Sequence, residues 1–522
     1  MSGGPSPDSL VALLTGACVR HRDRVAVVHA GRAHRYAELD AESARIAAGL
    51  AARGVRAGDT VGLLGPRGWW RCAAVLGVWR AGAAVNPLDP ALPVERLARI
   101  VRAAGTRLVL RDPDTAPVPA DAEQVAVDRI GVEAADGSGQ LPLPAGASAS
   151  DGPLAYVVAT SGSTGTPKCV AVPPVVLADL AAWHRDRWRH PEPPRTLHAA
   201  SVGFDVGFQE LAATWAAGAE LVVADDATRF DPFRLAEFLA ERRIARAFLP
   251  VGALLSLAVA VPVTGHRPEA LREVVTAGER LVVNAEVRAL FAGLDAALVN
   301  QYGPSETHVV TEYRLPPGDP DGWPVHPPLG TAAVSAELLR LSADGLLRPF
   351  ADGDEAELQV AGRALAVGYL GDDELTARRF RRLPHVDGRM LRVYATGDRV
   401  RREGGLLHFV GRTDDQLKVR GYRVEPGEVE AVLGRVPGVR RAAVVGHRRG
   451  GSTALHAYLV LGSGGDGDGT VDAARLRAAC AAELPDYMVP VRFLTVRELP
   501  LTRNGKVARG DIGAAATGTV LR

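Results

Sequence analysis

The chain has 522 residues, 47% of them apolar, with 61 basic against 60 acidic side chains and a formal charge of +1. That length exceeds one average core and asks for two or more domains. The charge balance gives no electrostatic case for nucleic acid or a membrane surface as partner, so neither is expected. Cys18, Cys72, Cys169 and Cys480 are too far apart for a zinc motif and too few for a disulfide framework. No apolar run reaches the length of a membrane span, and the N-terminal MSGGPSPDSLVALLTGACV has no basic leader. A cytoplasmic protein is expected.

Along the chain, short apolar runs alternate with helical patterns, which predicts α/β layering. Residues 113–121 and 134–152, rich in Pro, Gly, Ala and Asp, read as surface loops. LAYVVAT (154–160) is a β-rich run that predicts a buried strand. AELVVAD (219–225), ARAFLP (245–250) and LREVVTAG (271–278) predict further strands. Between the first two of these, Asp231-Pro232 opens a helix: Asp is a good N-cap, and Pro at the first helical position costs no hydrogen bond. Leu235, Phe238 and Leu239 fall on one face of it. From Asp414 onward a separate strand–helix alternation predicts a small second lobe, interrupted by GSGGDGDG (462–469), too polar to pack.

The first predicted strand runs into TSGSTGTPK (160–168). Gly162 and Gly165 let backbone amides turn toward an anion, Ser161, Ser163 and Thr164 add hydroxyl donors, and Lys168 adds a point charge. The pattern is not a Walker A loop, because Pro167 separates Gly from Lys and Cys169 follows. Taken singly, such a stretch is a weak signal. It is followed in order by FDVGFQE (204–210), NQYGPSE (300–306), YATGD (394–398), GRTDDQLKVRGYRVEPGEVE (411–430), LPDYMVP (484–490) and NGKVAR (504–509), and preceded by YAELD (36–40) and RAGAAVNPLDP (80–90). This ordered series resembles the adenylate-forming superfamily of acyl-CoA synthetases and luciferases. Within it, the chain is most similar to the amino-acid adenylation domains of nonribosomal peptide synthetases.

The resemblance implies an α/β fold with a large N-terminal domain of β-sheets packed with helices (1–413), then a small mobile α+β domain (414–522) hinged at Asp414. It implies two steps: substrate carboxylate attacks the α-phosphate of ATP to give an aminoacyl-adenylate and pyrophosphate, then a phosphopantetheine thiol takes the acyl group. Two anions must meet, so cations and donors have to neutralise the in-line transition state. By resemblance the loop Thr160, Ser161, Gly162, Ser163, Thr164, Gly165 and Lys168 takes the phosphates. Thr164, Lys168, Glu306 and Lys506 are the catalytic set, with Glu306 holding Mg²⁺ beside the phosphates. Asn300 reads the adenine edge, Tyr302 and Phe409 flank the ring, Asp398 accepts from the ribose hydroxyls, and Arg412 contacts ribose or phosphate. Singly, each of these would read as a solvated charge, a turn residue, a cap or a core aromatic.

The acceptor pocket implied by the resemblance is lined by Asp205, Val206, Gln209, Phe248, Val275, Ala277, Gln301, Val309 and Val310, and closed by Lys506. Asp205 is the informative member, since a carboxylate in an apolar wall needs a counter-ion and an α-ammonium group supplies one. The walls offer no partner for a charged side chain. The order of these residues resembles proline-activating relatives, with Gln301 where His is more usual, so the expected substrate is L-proline or a close cyclic analogue. The alternatives are a small aliphatic amino acid or, from another class, an acyl- or aryl-CoA ligase, which should lack Asp205.

Departures from the family pattern are Cys169 for glycine, Val367 for arginine, Ala395 for a basic residue, Ser305 for threonine and Ala508 for an acid. None removes a group that the two steps require. No Ser-bearing carrier motif follows Lys506 and no condensation domain precedes the chain, so a stand-alone enzyme is expected. It would load a separate carrier protein whose thiol approaches Gly421-Tyr422-Arg423, and a small helper protein of the kind some relatives need stays open.

Overall fold

The computed structural model describes residues 9–130, 152–162, 167–449, 452–462 and 471–500, with 507, 509, 512 and 519–521. By internal contact the chain divides into two compact units. The larger comprises residues 1–90, 101–158 and 169–411, and the smaller 91–100, 159–168 and 412–522.

Three sheets organise the larger unit. The first has six parallel strands side by side: Ala297–Tyr302, Glu273–Ala277, Arg246–Pro250, Arg195–His198, Glu220–Val223 and Val25–His29. Antiparallel strands edge it on both sides, Thr311–Leu315 and Thr331–Ala332 beyond the first of these and Arg32–Arg35 beyond the last. The second sheet centres on the parallel strands Thr60–Leu64, Ala84–Leu88, Thr106–Arg111 and Tyr156–Thr160. The third is antiparallel, built around Ala336–Leu341, Glu355–Gly362 and the long Met390–Glu403. Mostly parallel sheets bury both faces, which is why their strands read as apolar runs rather than alternating ones.

One core joins these sheets. Helices Leu10–Arg20, Tyr36–Ala52, Trp69–Arg80, Pro174–Arg187 and Asp205–Ala216 bring Leu14, Leu39, Ile46, Val75, Leu177, Phe208 and Leu211 against Val27, Val61, Val85, Leu221 and Leu358. On the other face of the first sheet, helices Pro232–Glu241 and Val251–Thr264 bury Leu235, Leu239, Leu254 and Leu257 against Val222, Leu249, Val274 and Leu298. The Asp231 carboxylate caps the first of these as expected, accepting from the Phe233 and Arg234 amides. The runs 154–160, 219–225, 245–250 and 271–278 form strands where the sequence places them. Most of 134–152 and of 462–469 lies outside the described residues.

The smaller unit has its own core. Strands Val439–Arg449, Ser452–Leu461 and Arg492–Thr495 pair with helices Pro426–Gly434 and Ala473–Glu483 around Val429, Leu433, Leu455, Leu476 and Phe493. Among the described residues no helix is long and apolar enough to cross a membrane.

All four cysteines are buried. Burial pushes each thiol up to about 12, at Cys18, Cys72, Cys169 and Cys480 alike. At pH 8 such a thiol is thiolate in about one part in ten thousand, and the thiolate is the reactive form. The folded protein is therefore expected to be inert to DTNB at pH 8 and to release four equivalents once unfolded. Fast reaction of any native cysteine would contradict this burial.

Candidate active site

The site is built on the carboxyl-terminal halves of the parallel strands, the usual place for a crevice in an open α/β sheet. Register aligns Phe248 with Val275 and Val275 with Val299 on three neighbouring strands. Alternation then puts these three on one face, while Leu249, Val274 and Leu298 enter the core on the other. Val206 packs against the same trio. Ala277 and Gln301 lie two residues further along their strands and so share the face. Phe248, Val275, Ala277, Gln301 and Val206, separated by up to ninety-odd residues, thus form one wall, to which the structure adds Val299.

Asp205 occupies the first turn of helix Asp205–Ala216, where the helix dipole favours a carboxylate, and accepts from the Val206 amide at 2.9 Å. Gln209 follows one turn later on the same helix face and is buried. The helix is fixed from behind by Glu210, fully buried, which accepts from the Ala200 amide at 3.1 Å and meets His198 Nδ1 at 2.6 Å. Buried His308 neighbours Asp205: burial holds its imidazole below the ordinary value and the Asp205 charge opposes that shift. Val309 packs with Leu180 and Ala333, and Val310 belongs to the main core.

Strand Ala297–Tyr302 serves both sides of the sheet. Opposite Gln301 in the alternation lie Asn300, whose Nδ2 donates to the Pro328 carbonyl at 2.8 Å, and Tyr302, whose hydroxyl donates to Asp398 at 2.6 Å. The structure therefore brings together the residues assigned to adenine and ribose. Phe409 is partly buried against the main core. Glu306 is fully buried and accepts from the Tyr369 hydroxyl at 2.7 Å.

Within the smaller unit, Lys168 Nζ donates to Glu425 at 2.8 Å, the Gly162 amide to Glu428 at 3.1 Å, and Ser161 Oγ to the Arg423 carbonyl at 2.9 Å. Carboxylates thus hold donors that the sequence assigns to phosphate. Thr160 Oγ1 reaches the Lys168 carbonyl at 3.4 Å. Arg412 and Asp414 form a two-pronged ion pair at 2.6 and 3.0 Å. Ser163, Thr164, Gly165 and Lys506 lie outside the described residues. Cys169, one step along its strand from Lys168, packs with Ala84, Ala104 and Val157.

His184, His308, Val299, Glu312 and Tyr369 are the site neighbours that sequence reasoning missed. Val299 stands two residues before Gln301, so it shares its face once Ala297–Tyr302 is a strand. The others are brought in by pairing of distant segments and carry no local signal.

The profile of AMP-binding enzymes matches residues 14–370, and that of the AMP-binding enzyme C-terminal domain matches residues 428–506. The chain belongs to the AMP-binding enzyme family. This AMP-binding enzyme is 35% identical over 520 residues to surfactin synthase subunit 1 of Bacillus subtilis, covering 97% of this chain and 13% of that one. It thus spans a small part of that relative's length. Among solved structures it is similar to PA1221, an NRPS protein containing adenylation and PCP domains, with TM-score 0.81, 26% identity and coverage of 97% and 84%. It shares its fold with o-succinylbenzoate CoA synthetase of Bacillus subtilis, at TM-score 0.80, 22% identity and coverage of 98% and 99%. The resemblance read from the motifs agrees with this family membership, in a chain with a large N-terminal and a small C-terminal domain. ATP is the nucleotide such enzymes use.

The donor set suits Mg²⁺ held jointly with a nucleotide. Among the described residues no cluster of three His, Cys, Asp or Glu side chains forms a protein cage. A single carboxylate, Glu306, matches an ion that takes its remaining ligands from phosphate and water.

Gly303, in NQYGPSE, tests how tightly this AMP-binding enzyme's site is packed. A Cβ there would stand 1.5 Å from the His308 carbonyl oxygen and 3.1 Å from the Val309 Cα. Gly303→Ala must displace the segment that carries His308 and Val309. We expect folded protein, by circular dichroism, with adenylation kcat/KM lowered about a hundredfold, the scale of an ångström-sized misplacement. Wild-type kinetics would show that the segment yields without cost.

Proposed function

We propose that this protein activates an amino acid, L-proline or a close cyclic analogue, as its aminoacyl-adenylate and transfers it to the phosphopantetheine thiol of a separate carrier protein. The observation that carries this is the placement of Asp205. It heads a helix one residue before Val206, which packs against the Phe248, Val275 and Val299 wall. A carboxylate beside an apolar wall is matched by a substrate with an ammonium group next to a compact apolar body, and the secondary ammonium of proline meets both needs. The PCP domains of PA1221 support the carrier as acceptor.

In this reading Asp205 pairs with the α-ammonium and orients the carboxylate for in-line attack on the α-phosphate. Lys506, from the C-terminal domain, bridges that carboxylate and the α-phosphate and stabilises the charge that develops between them. Tyr302 and Asp398, already hydrogen-bonded to each other, seat the adenosine, with Asn300 at the adenine edge, Phe409 against the ring and Arg412 at ribose or phosphate. The loop 160–168 takes the β- and γ-phosphates, its Lys168 exchanging Glu425 for phosphate oxygen. Glu306 would hold Mg²⁺, which would supply neutralisation of the triphosphate. Rotation about Asp414 then admits the thiol near Gly421-Tyr422-Arg423.

ATP–pyrophosphate exchange across a panel of amino and carboxylic acids tests the substrate. Exchange dependent on proline analogues is expected. Activation of an acyclic residue with the analogues at background would move the substrate to the small aliphatic class, and efficient transfer to free coenzyme A with no carrier acylated would make the protein a CoA ligase. Lys506→Ala should abolish adenylate formation and leave ATP binding, read by calorimetry, largely intact. Near-normal exchange in that variant would remove Lys506 from the chemistry.

A further inference from the structure

Four side chains from four elements form a hydrogen-bonded series along the acceptor wall. Gln301 Nε2 donates to Glu312 Oε2 at 2.9 Å, across the register pair that joins their two strands. Gln209 Nε2 donates to Gln301 Oε1 at 2.8 Å and lies 2.8 Å from His184 Nε2. All of Gln209, Gln301 and His184 are buried. Glu312 is held in turn by Arg187 at 3.3 Å and by Trp183 Nε1 at 3.4 Å, both on the helix that carries His184.

The direction of this series follows from Glu312. A carboxylate has lone pairs and no proton to give, so Gln301 turns its NH₂ toward it and its carbonyl toward Gln209. Gln209 must then present its own NH₂, and His184 accepts at Nε2, which puts its proton on Nδ1. Amide and imidazole shapes alone leave all three orientations open, and the carboxylate closes them. His184 is held well below its ordinary value by burial and by the charges of Arg246, His308 and Arg187, which agrees with a neutral ring. Gln209 Oε1 is left over. It accepts no hydrogen bond among the described residues, although Gln209 is 2% exposed. An acceptor left without a donor in a side chain this enclosed is open to a hydroxyl that a ligand brings.

We propose that Glu312 is a positioning residue that gives the side-chain end of the acceptor pocket a single hydrogen-bonding sense, with Gln209 Oε1 as the acceptor for a hydroxyl on the substrate ring. This rests on the amino-acid adenylation reading above and narrows it, from a cyclic amino acid to one that is hydroxylated.

Two measurements test it. The ¹⁵N shifts of His184 in the wild-type protein should report the neutral Nδ1–H tautomer, and in Glu312→Gln, where the carboxamide can either donate or accept, a mixture of tautomers. An Nε2–H or doubly protonated His184 in the wild type overturns the series whatever the substrate proves to be. In pyrophosphate exchange, a hydroxyproline should exceed L-proline in kcat/KM by roughly fivefold to tenfold, the scale of one added hydrogen bond. Glu312→Gln should bring that ratio toward one, through the amino-acid KM, with the KM for ATP unchanged. A wild-type ratio at or below one, or a ratio that Glu312→Gln preserves, overturns the proposal. Absence of exchange with any cyclic amino acid overturns the hydroxylated-ring substrate together with the cyclic-substrate reading, and the histidine tautomer still decides the role of Glu312.

Discussion

The side-chain alternation of three adjacent parallel strands, Arg246–Pro250, Glu273–Ala277 and Ala297–Tyr302, is the constraint on which the site depends. Each strand is buried on both faces, so each residue faces either the helices of the core or the acceptor wall. A slip of one residue in the register would send Phe248, Val275 and Val299 into the core and bring Leu249, Val274 and Leu298 to the site. Because Asn300 and Tyr302 alternate with Gln301, the same register also turns them to the face opposite the one that Gln301 shares with Val299.

Beneath this wall the protein keeps polar and charged groups that a bland core would not. Arg246 is fully buried two residues before Phe248, donates to Thr196 at 3.1 Å, and has no hydrogen-bond partner for Nε or Nη1 among the described residues. Burial lowers its guanidinium to about 10, and Glu273 and Glu210 oppose the shift. Its charge also weighs against protonation of His184. Groups of this kind are costly to bury, and Arg246 lies on the same face of its strand as Phe248. Glu210, bridging His198 and the Ala199–Ala200 amides, holds the helix that presents Asp205 and Gln209.

The segment that leads into Lys168 follows a different logic. Its lysine and its first glycine amide are engaged with Glu425 and Glu428, acids that belong to the motif GRTDDQLKVRGYRVEPGEVE. These carboxylates give the cation and the amide partners within the protein, so neither is left unpaired. The sequence shows both motifs but not that one supplies the counter-charges of the other.

By itself the sequence determined the α/β class, the strands at 154–160, 219–225, 245–250 and 271–278, the Asp231 cap and the adenylate-forming family. These rest on local signals, since periodicity, capping chemistry and motif order are all properties of neighbouring residues. By resemblance it also assigned Asp398, Tyr302, Glu306 and the residues of the wall to one site, and of these the structure joins Tyr302 to Asp398 by a hydrogen bond. Tertiary structure decided the rest. The packing of Cys169 against Ala84, Ala104 and Val157 has no local signal, and His184, His308, Tyr369 and Glu312 enter only because strands and helices distant in the chain pack together. The direction of the Glu312–Gln301–Gln209–His184 series lies at the far end of that scale: amides and imidazoles have no intrinsic orientation, and only a carboxylate placed next to them by strand pairing can impose one.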